Sequence, residues 1–369
     1  MQFKGGSVKI RVVMFLLILS SSIYSQTYNG TAYVLFFGRQ ASAKTEAMGK
    51  ILSLNFDPYF TSQSNPAELL SVEGASIFYS HSGSPYYFSD KTNFYFGGTS
   101  VNLKELGAFA FNIQWVDWGS FVRTSSTSPE PIGRFRSTTK LYTFTYANRL
   151  LDYFNYGINA NLLVEDFGAD EPNNGMFFEL GITKDFKVID ETKVNDNLLF
   201  GIQMKNIFNQ SIEFTSKQEN GDIIREEDLF PSIFRIGISN EFKYSNEKIY
   251  KHSHLLGLTT GVEYQNVLNS KYYTAYKFGA ELSLLNILYL RMGYYHRTAN
   301  DYGLDANKGY LEDFTYGFGL NLNLENYLVV HFPMSIKINY VNLKQPSTLT
   351  YFDSWDNFTA FDIIINYRF

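Results

Sequence analysis

Residues 314–322 read Phe-Thr-Tyr-Gly-Phe-Gly-Leu-Asn-Leu, so Phe314, Tyr316, Phe318, Leu320 and Leu322 alternate with Thr315, Gly317, Gly319 and Asn321. A period of two belongs to an extended strand, whose successive side chains point to opposite faces. One face here is aromatic and aliphatic; the other is small or polar. The same order recurs at 108–115, where Phe109, Phe111, Ile113 and Trp115 alternate with Ala108, Ala110, Asn112 and Gln114. It recurs again where the sequence ends, with Phe361, Ile363, Ile365, Tyr367 and Phe369 set against Asp362, Ile364, Asn366 and Arg368. Segments of this kind are predicted at about fourteen places: 75–81, 92–101, 107–116, 137–147, 155–165, 175–184, 198–206, 231–242, 255–265, 274–284, 287–296, 313–322, 333–343 and 359–369. Most are about ten residues long, which suits a tilted strand crossing a bilayer, whereas sandwich strands are nearer five or six.

Composition narrows the class. Of 369 residues, 45% are hydrophobic and 18% aromatic, with 28 Tyr and 34 Phe. No apolar run reaches the ~18 residues of a membrane-spanning helix. A net charge of −5 argues against nucleic acid, which selects basic surfaces. The absence of cysteine excludes a disulfide framework, thiolate metal sites, cysteine catalysis and a lipoprotein acyl anchor.

Taken together, these features predict an all-β chain, a transmembrane antiparallel β-barrel of about fourteen strands in the cell outer membrane. The connections after odd-numbered strands are the longer set, about fifteen residues against about eight, matching the long outside loops and short periplasmic turns of such barrels. A soluble propeller or sandwich would also give many strands, but would not need so aromatic an outward face. Tyr142, Phe144 and Tyr146, then Tyr272, Tyr273 and Tyr276, then Tyr294 and Tyr295 fit interfacial girdles. Lys140, Glu179, Arg235, Glu263, Lys277, Glu281, Arg291 and Lys337 fall within predicted strands. Charge on a lipid face is costly, so these are expected to point into the lumen or sit near an interface.

Three regions follow. Lys4, Lys9 and Arg11 precede the apolar run Val12 to Leu19, and Ser20, Ser21, Ser22 and Ser25 come after it. That is the order of a secretory signal, so residues 1–25 are expected to be removed, leaving Gln26 first. Residues 26–74 form an N-terminal arm, and residues 75–369 the barrel. Within the arm, 40–49, Phe56-Asp57-Pro58 and Ser64-Asn65-Pro66-Ala67 are not strand-like; Asn65-Pro66 favours a turn and Pro66 can open a short helix. The arm is either a surface segment or a hatch folded into the barrel.

Ala47-Met48-Gly49, Asp57 and Asn65-Pro66-Ala67 in that order resemble the N-terminus of the PorV/PorQ family, outer-membrane proteins of type IX secretion in Bacteroidetes. Met204-Lys205-Asn206-Ile207 resembles that family's Lys-Asn strand end. Phe230 to Gly237 is similar to its Leu-Pro-x-x-x-Arg-x-Gly strand, and Phe278 to Glu281 with Leu290 to Tyr294 to a late hairpin. Tyr316 to Gly319 matches the strand after it. Lys50 departs from the pattern where a second small residue is usual, and Ile207 is not followed by the family's Gly. The resemblance implies a FadL-like barrel with a hatch and a non-catalytic role as partner, shuttle or anchoring component in secretion and surface attachment. The implied partners are outer-membrane lipid, other type IX components and secreted cargo. The ending Tyr367-Arg368-Phe369 resembles the insertion signal that such barrels present to the barrel-assembly machinery.

Chemistry is otherwise sparse. His252-Ser253-His254 could supply half a metal site, but sits in a predicted turn beside Lys251 with no carboxylate near it. No hydrolase, zincin or phosphate-binding motif occurs, so no catalytic residue, cofactor or metal is assigned. Two non-catalytic functions remain in competition. One is the secretion partner, with its binding surface on the loops at Asp117–Arg136, Gln210–Leu229 and Lys344–Phe358. The other is a FadL-like transporter of hydrophobic small molecules.

Overall fold

The structure is a computed structural model that describes residues 42–54, 56–83, 93–125, 128–150, 153–168, 172–217, 223–246, 250, 253–269, 274–298, 310–326, 333–346 and 355–369. The expected signal (1–25) and the first part of the arm lie outside them. A short helix α1 (Ala43–Ala47) and a 3-10 turn (Pro66–Ser71) precede the strands. The strands are β1 (Ala75–Gly83), β2 (Asn93–Asn102), β3 (Ala108–Ser125), β4 (Ser128–Leu150), β5 (Phe154–Asp166), β6 (Asn173–Asp190) and β7 (Val194–Lys205). Next come β8 (Ser211–Lys217) and β9 (Ile223–Leu229), then β10 (Ile233–Tyr244), β11 (Leu256–Val267) and β12 (Ala275–Leu284). The last are β13 (Leu288–Thr298), β14 (Tyr310–Asn323), β15 (Met334–Pro346) and β16 (Trp355–Tyr367).

Fourteen of these strands form one closed antiparallel barrel, and β8 and β9 pair with each other outside it. Closure is made by β1 on β16, with Ala75 opposite Tyr367 and Ser82 opposite Ala360. Each of the fourteen expected segments corresponds to one barrel strand. Closure leaves no unpaired edge around the ring. Strands alternate in direction, so one end of the barrel carries the connections that follow β1, β3, β5 and β7 and is called the loop end. The other carries Gly74 and Phe369 and is called the terminal end.

The alternation in sequence becomes an inside and an outside. In β12, Ala275, Lys277, Gly279, Glu281 and Ser283 are buried while Tyr276 and Phe278 are exposed. In β3, Ala108, Ala110, Asn112 and Gln114 are buried and Phe111 is exposed. The polar and small face is therefore internal and the aromatic face external, the reverse of a soluble protein. No helix among the described residues is long and apolar enough to cross a membrane, which says nothing of the strands.

Three expectations need correction. The segment Asp117–Arg136 is not a loop: β3 and β4 continue past the barrel as a hairpin, with Phe121 opposite Phe135, after a register shift between Asp117 and Gly119. Gln210–Leu229 contains the β8–β9 hairpin, and Ile212 at its root is buried. Lys344–Phe358 is partly strand, since β15 runs to Pro346 and β16 begins at Trp355. Lys140 takes the second course open to a strand charge: it points outward, because Leu141 and Thr143 of β4 take the buried positions, and it stands in the same row as Tyr95 and Trp115.

Candidate functional site

Residues 42–54 and 56–72 lie in the lumen. Tyr59 and Phe60 pack on Phe78 of β1, and the 3-10 turn touches β2. Thr61 meets Asn112 of β3 and Thr145 of β4 at 3.0 and 2.7 Å. Asn159 of β5 donates to the Thr61 carbonyl at 2.6 Å. Asn65 donates to the carbonyls of Ile182 on β6 and Ile202 on β7 at 3.3 and 3.0 Å. Arg235 of β10 reaches the Gln63 carbonyl, and Glu263 of β11 accepts from the amides of Leu52 and Ser53 at 2.8 and 2.5 Å. Gly49 lies against β12 and β13, and its amide donates to Thr315 of β14 at 3.1 Å. Lys337 of β15 reaches the Tyr59 hydroxyl, and Asp362 of β16 accepts from the Ala43 amide at 2.7 Å. A segment that touches every strand of a closed ring can do so only from within.

Its local conformation follows from its sequence. Ser42 caps α1, its hydroxyl accepting from the amides of Lys44 and Thr45, and the same hydroxyl donates to Asp57. Asn65 caps the 3-10 turn through the Ala67 amide at 3.1 Å, with Pro66 at the first position. Gly49 follows α1 at φ +69° and Lys50 continues at φ +64°. Lys50 bonds Glu46 at 3.3 Å and lies 4.9 Å from the centre of the Tyr295 ring, so this departure from the small-residue pattern has its own partners.

The wall is built of glycine where the segment rests on it. A Cβ on Gly157 would stand 2.3 Å from Pro66, and one on Gly181 would stand 1.8 Å from Asn65. A Cβ on Gly201 or Gly237 would meet Ser53 at 1.9 or 2.6 Å, and one on Gly261 would meet Phe56 at 2.5 Å. On Gly279, Gly293 and Gly317 it would meet Met48, Gly49 and Ala47 at 2.5, 2.0 and 2.8 Å. These glycines sit on β5, β6, β7, β10, β11, β12, β13 and β14, an unbroken run of neighbouring strands. Glycine within a strand often marks close approach of another backbone, and here that backbone is residues 47–66.

Buried charge knits the same region. Glu179 pairs with Lys205 at 3.0 Å, Glu263 with Lys277 at 2.6 Å and Glu281 with Arg291 at 2.5 Å. Lys44 of α1 joins Glu281 at 3.2 Å. Glu179 also accepts from Asn159, Asn161 and Gln203, and Arg235 donates to Gln203 and Gln265 at 2.7 and 2.9 Å. Charges taken out of water are tolerated when paired and further hydrogen-bonded, and these are both.

Toward the loop end the lumen changes character. Phe94, Phe96, Val116, Leu141, Leu163 and Phe177 point inward and form one buried cluster with Tyr59 and Phe60 below and Ile212 and Phe230 beside them. Phe177 and Phe230 approach to 4.9 Å between ring centres. The Phe230 carbonyl is held by the amides of Asn206 and Asn269, each at 2.8 Å. Asn206 sits at φ +53°, a conformation that Asn adopts more readily than most residues. The Lys205-Asn206 pair thus divides its work: the lysine ties to the lumenal segment and the asparagine clips the long connection over the apolar wall.

Of the residues singled out from sequence, Ala47, Met48, Gly49, Asp57, Asn65, Pro66 and Ala67 are gathered in the lumen, all buried. Tyr367 and Phe369 are exposed at the terminal end, far in the fold from that group. His252 lies outside the described residues, and His254 bonds Ser283 at 2.9 Å. Among the described residues no group of three or more His, Asp or Glu side chains is gathered that could hold a metal. Sequence reasoning missed the glycine seat and the inward-facing aromatics; the strand glycines were the available signal.

No protein-family model matches the sequence, and no curated protein matches it; the PorV/PorQ resemblance therefore stands on its short motifs alone. Among solved structures, the Pseudomonas putida toluene transporter TodX is similar at 10% identity and TM-score 0.43, over 88% of this chain and 97% of its own. The Ralstonia pickettii toluene transporter TbuX is similar at 9% identity and TM-score 0.45, over 90% of this chain and 100% of its own. A Pseudomonas aeruginosa FadL homologue is similar at 10% identity and TM-score 0.40, over 90% and 99%. At this level of likeness, the fold assignment stands on the strand pairing itself.

Proposed function

We propose that the chain is an outer-membrane barrel that passes small hydrophobic molecules, with residues 42–72 as the gate. The observation that carries this is the apolar wall of Phe94, Phe96, Val116, Leu141, Leu163 and Phe177, which faces inward and ends on Tyr59 and Phe60 of the lumenal segment. A lumen for polar solutes has no use for inward aromatics, whereas an apolar solute leaving water gains about 25 cal/mol per Å² of buried surface. Membrane residence is supported by the closed ring with its apolar outer face. The test is uptake of a labelled aromatic hydrocarbon and a labelled long-chain fatty acid by cells expressing the parent or Leu141→Asp with Leu163→Asp. Parent-dependent uptake that the double variant loses, at equal amounts of inserted barrel, is the expected result. Uptake no higher than in cells without the protein would reject it.

A second reading, a non-catalytic partner component of type IX secretion and surface attachment, is favoured by a different feature. Beyond Asp117 and Thr138 the β3–β4 hairpin pairs only with itself, and the β8–β9 hairpin, rooted by Ile212 in the apolar cluster, forms a sheet separate from the ring. Both belong to the loop end and offer surface to another protein. Capture from native outer membrane, with and without residues 213–227, tests it: secretion components lost on deletion would support it.

A further inference from the structure

The outward face over β2 to β5 changes in steps toward the loop end. Successive cross-strand rows read Thr99, Phe111, Phe144 and Ala160, then Gly97, Ile113, Tyr142 and Leu162. The next row is Tyr95, Trp115, Lys140 and Val164, and above it come Asn93, Asp117, Thr138 and Asp166. Past the barrel only β3 and β4 continue, with Ser120 beside Arg136 and Val122 beside Arg134. The apolar belt thus ends at one row. Tyr95 and Trp115 stack there, 4.8 Å between ring centres, as amphipathic rings do where hydrocarbon meets water. Lys140 stands in that row, and Arg136 and Arg134 stand above it on the same face of β4.

We propose that this face, with Lys140, Arg136 and Arg134, holds the phosphorylated head of an outer-leaflet lipid whose chains lie on the apolar rows directly below. The inference rests on the membrane reading above, not on the solute. Lys140 and Arg136 are four residues apart, about 13 Å along a strand, and Arg134 is about 7 Å further, so the cations track a head group of more than one phosphate. Two carboxylates share the face. Asp117 takes the guanidinium of Arg136 from two nitrogens, the Nε contact being 2.9 Å, and Asp166 accepts from the Gly168 amide at 2.7 Å. The pair with Asp117 fixes Arg136 in place. Lys140 and Arg134, exposed and held by no ion pair among the described residues, supply the uncompensated charge. A soluble acidic protein would meet the cations but not the belt beneath them. An anionic amphiphile meets both, with guanidinium and ammonium groups suited to phosphate.

The experiment uses the full-length mature protein extracted from the outer membrane in a non-ionic detergent. Parent, Lys140→Gln/Arg134→Gln and Lys184→Gln proteins are titrated with bisphosphorylated lipid A, monophosphorylated lipid A and inorganic phosphate, read by native mass spectrometry. Arg136 is left intact to keep its pair with Asp117. Lys184, which faces Tyr153, Phe154 and Phe186 at the terminal end, is the control. Bisphosphorylated lipid A should bind the double variant about tenfold or more weakly than parent and control, with a smaller loss for the monophosphorylated form and no competition from inorganic phosphate. Equal binding by parent and double variant overturns the proposal, as does a loss shared by the Lys184 variant. Competition by inorganic phosphate at millimolar concentration would make this an ion site and also overturn it. Recovery in the membrane fraction is scored first for each protein, so failure to insert is read separately from failure to bind.

Discussion

Gly293 of β13 and Gly49 of the lumenal segment lie backbone to backbone. A Cβ on Gly293 would stand 2.0 Å from the Gly49 amide nitrogen, and one on Gly49 would stand 2.2 Å from the Phe278 carbonyl oxygen. A side chain on Gly293 would displace Gly49, and one on Gly49 would displace the backbone of β12 at Phe278 and of β13 at Tyr294; Gly49 at φ +69° would be strained by one in any case. The lumenal segment is held by absence of side chains as much as by hydrogen bonds.

Gly293→Val should therefore push residues 47–53 off the wall while the barrel still closes through its strand ladders. Overpacking of this sort costs about 1–3 kcal/mol, or roughly ten- to hundredfold faster amide exchange in that stretch. Hydrogen exchange by mass spectrometry measures it, with Gly83→Val as the control because nothing lies within 4 Å of a Cβ there. Unchanged exchange at 47–53 would contradict the glycine seat.

Glu179 and Lys205 are both fully buried, 3.0 Å apart. Lys205→Met alone should destabilise the protein by about 3–5 kcal/mol, since it strands a buried carboxylate. Adding Glu179→Gln should recover most of that loss, because it removes the stranded charge and its one amide oxygen can still accept from Asn159 and Gln203. Denaturant unfolding in detergent for the two single variants and the double one gives the coupling energy. Additive losses would mean that the two groups do not act as a pair.

Glu68 is 2% exposed, and neither carboxylate oxygen has a hydrogen-bonding partner among the described residues. A buried polar group in that position costs about 1–3 kcal/mol. Glu68→Met keeps the volume and removes the cost, so the 3-10 turn should exchange its amides more slowly, by about tenfold or more. On the transport proposal, a gate that must leave its seat has a use for such a weak point, and the same variant should then lower uptake of an apolar solute. Faster exchange in Glu68→Met would show that the carboxylate stabilises the turn.

The barrel was legible because strands such as β3, β12 and β14 alternate strictly over about ten residues. The β3–β4 extension was not, because alternation loses its phase at the register shift after Asp117 and both faces beyond it are polar enough to pass for loop. In β9, Glu226, Glu227 and Asp228 hide a strand for the same reason. The rule about charge left Lys140 between lumen and interface, whereas its neighbours Tyr142 and Phe144 share its phase and already pointed it outward. The seven arm residues stood out through the order of a short motif rather than through any periodicity. Their partners did not, since Gly49 meets Thr315 and Asn65 meets Ile202 across separations that local pattern does not encode.

Phe369 offers a clean separation of stability from assembly. It lies past the end of β16 and is 62% exposed, while Arg368 beside it pairs with Glu73 at 2.8 Å and donates its amide to the Pro333 carbonyl at 2.9 Å. Removing an exposed side chain that no buried contact needs changes stability by about 0.5 kcal/mol or less. Phe369→Ala should then refold in detergent as fully as the parent, with the same heat-modified mobility on a gel. If the terminal aromatic is what the assembly machinery recognises, the same variant expressed in cells should yield several-fold less inserted barrel. Arg368→Ala, which loses a surface ion pair but keeps the aromatic, should insert at parental levels. Equal insertion of all three proteins in cells would remove the signal from the C-terminus, and a parallel loss in detergent refolding would return Phe369 to an ordinary structural role.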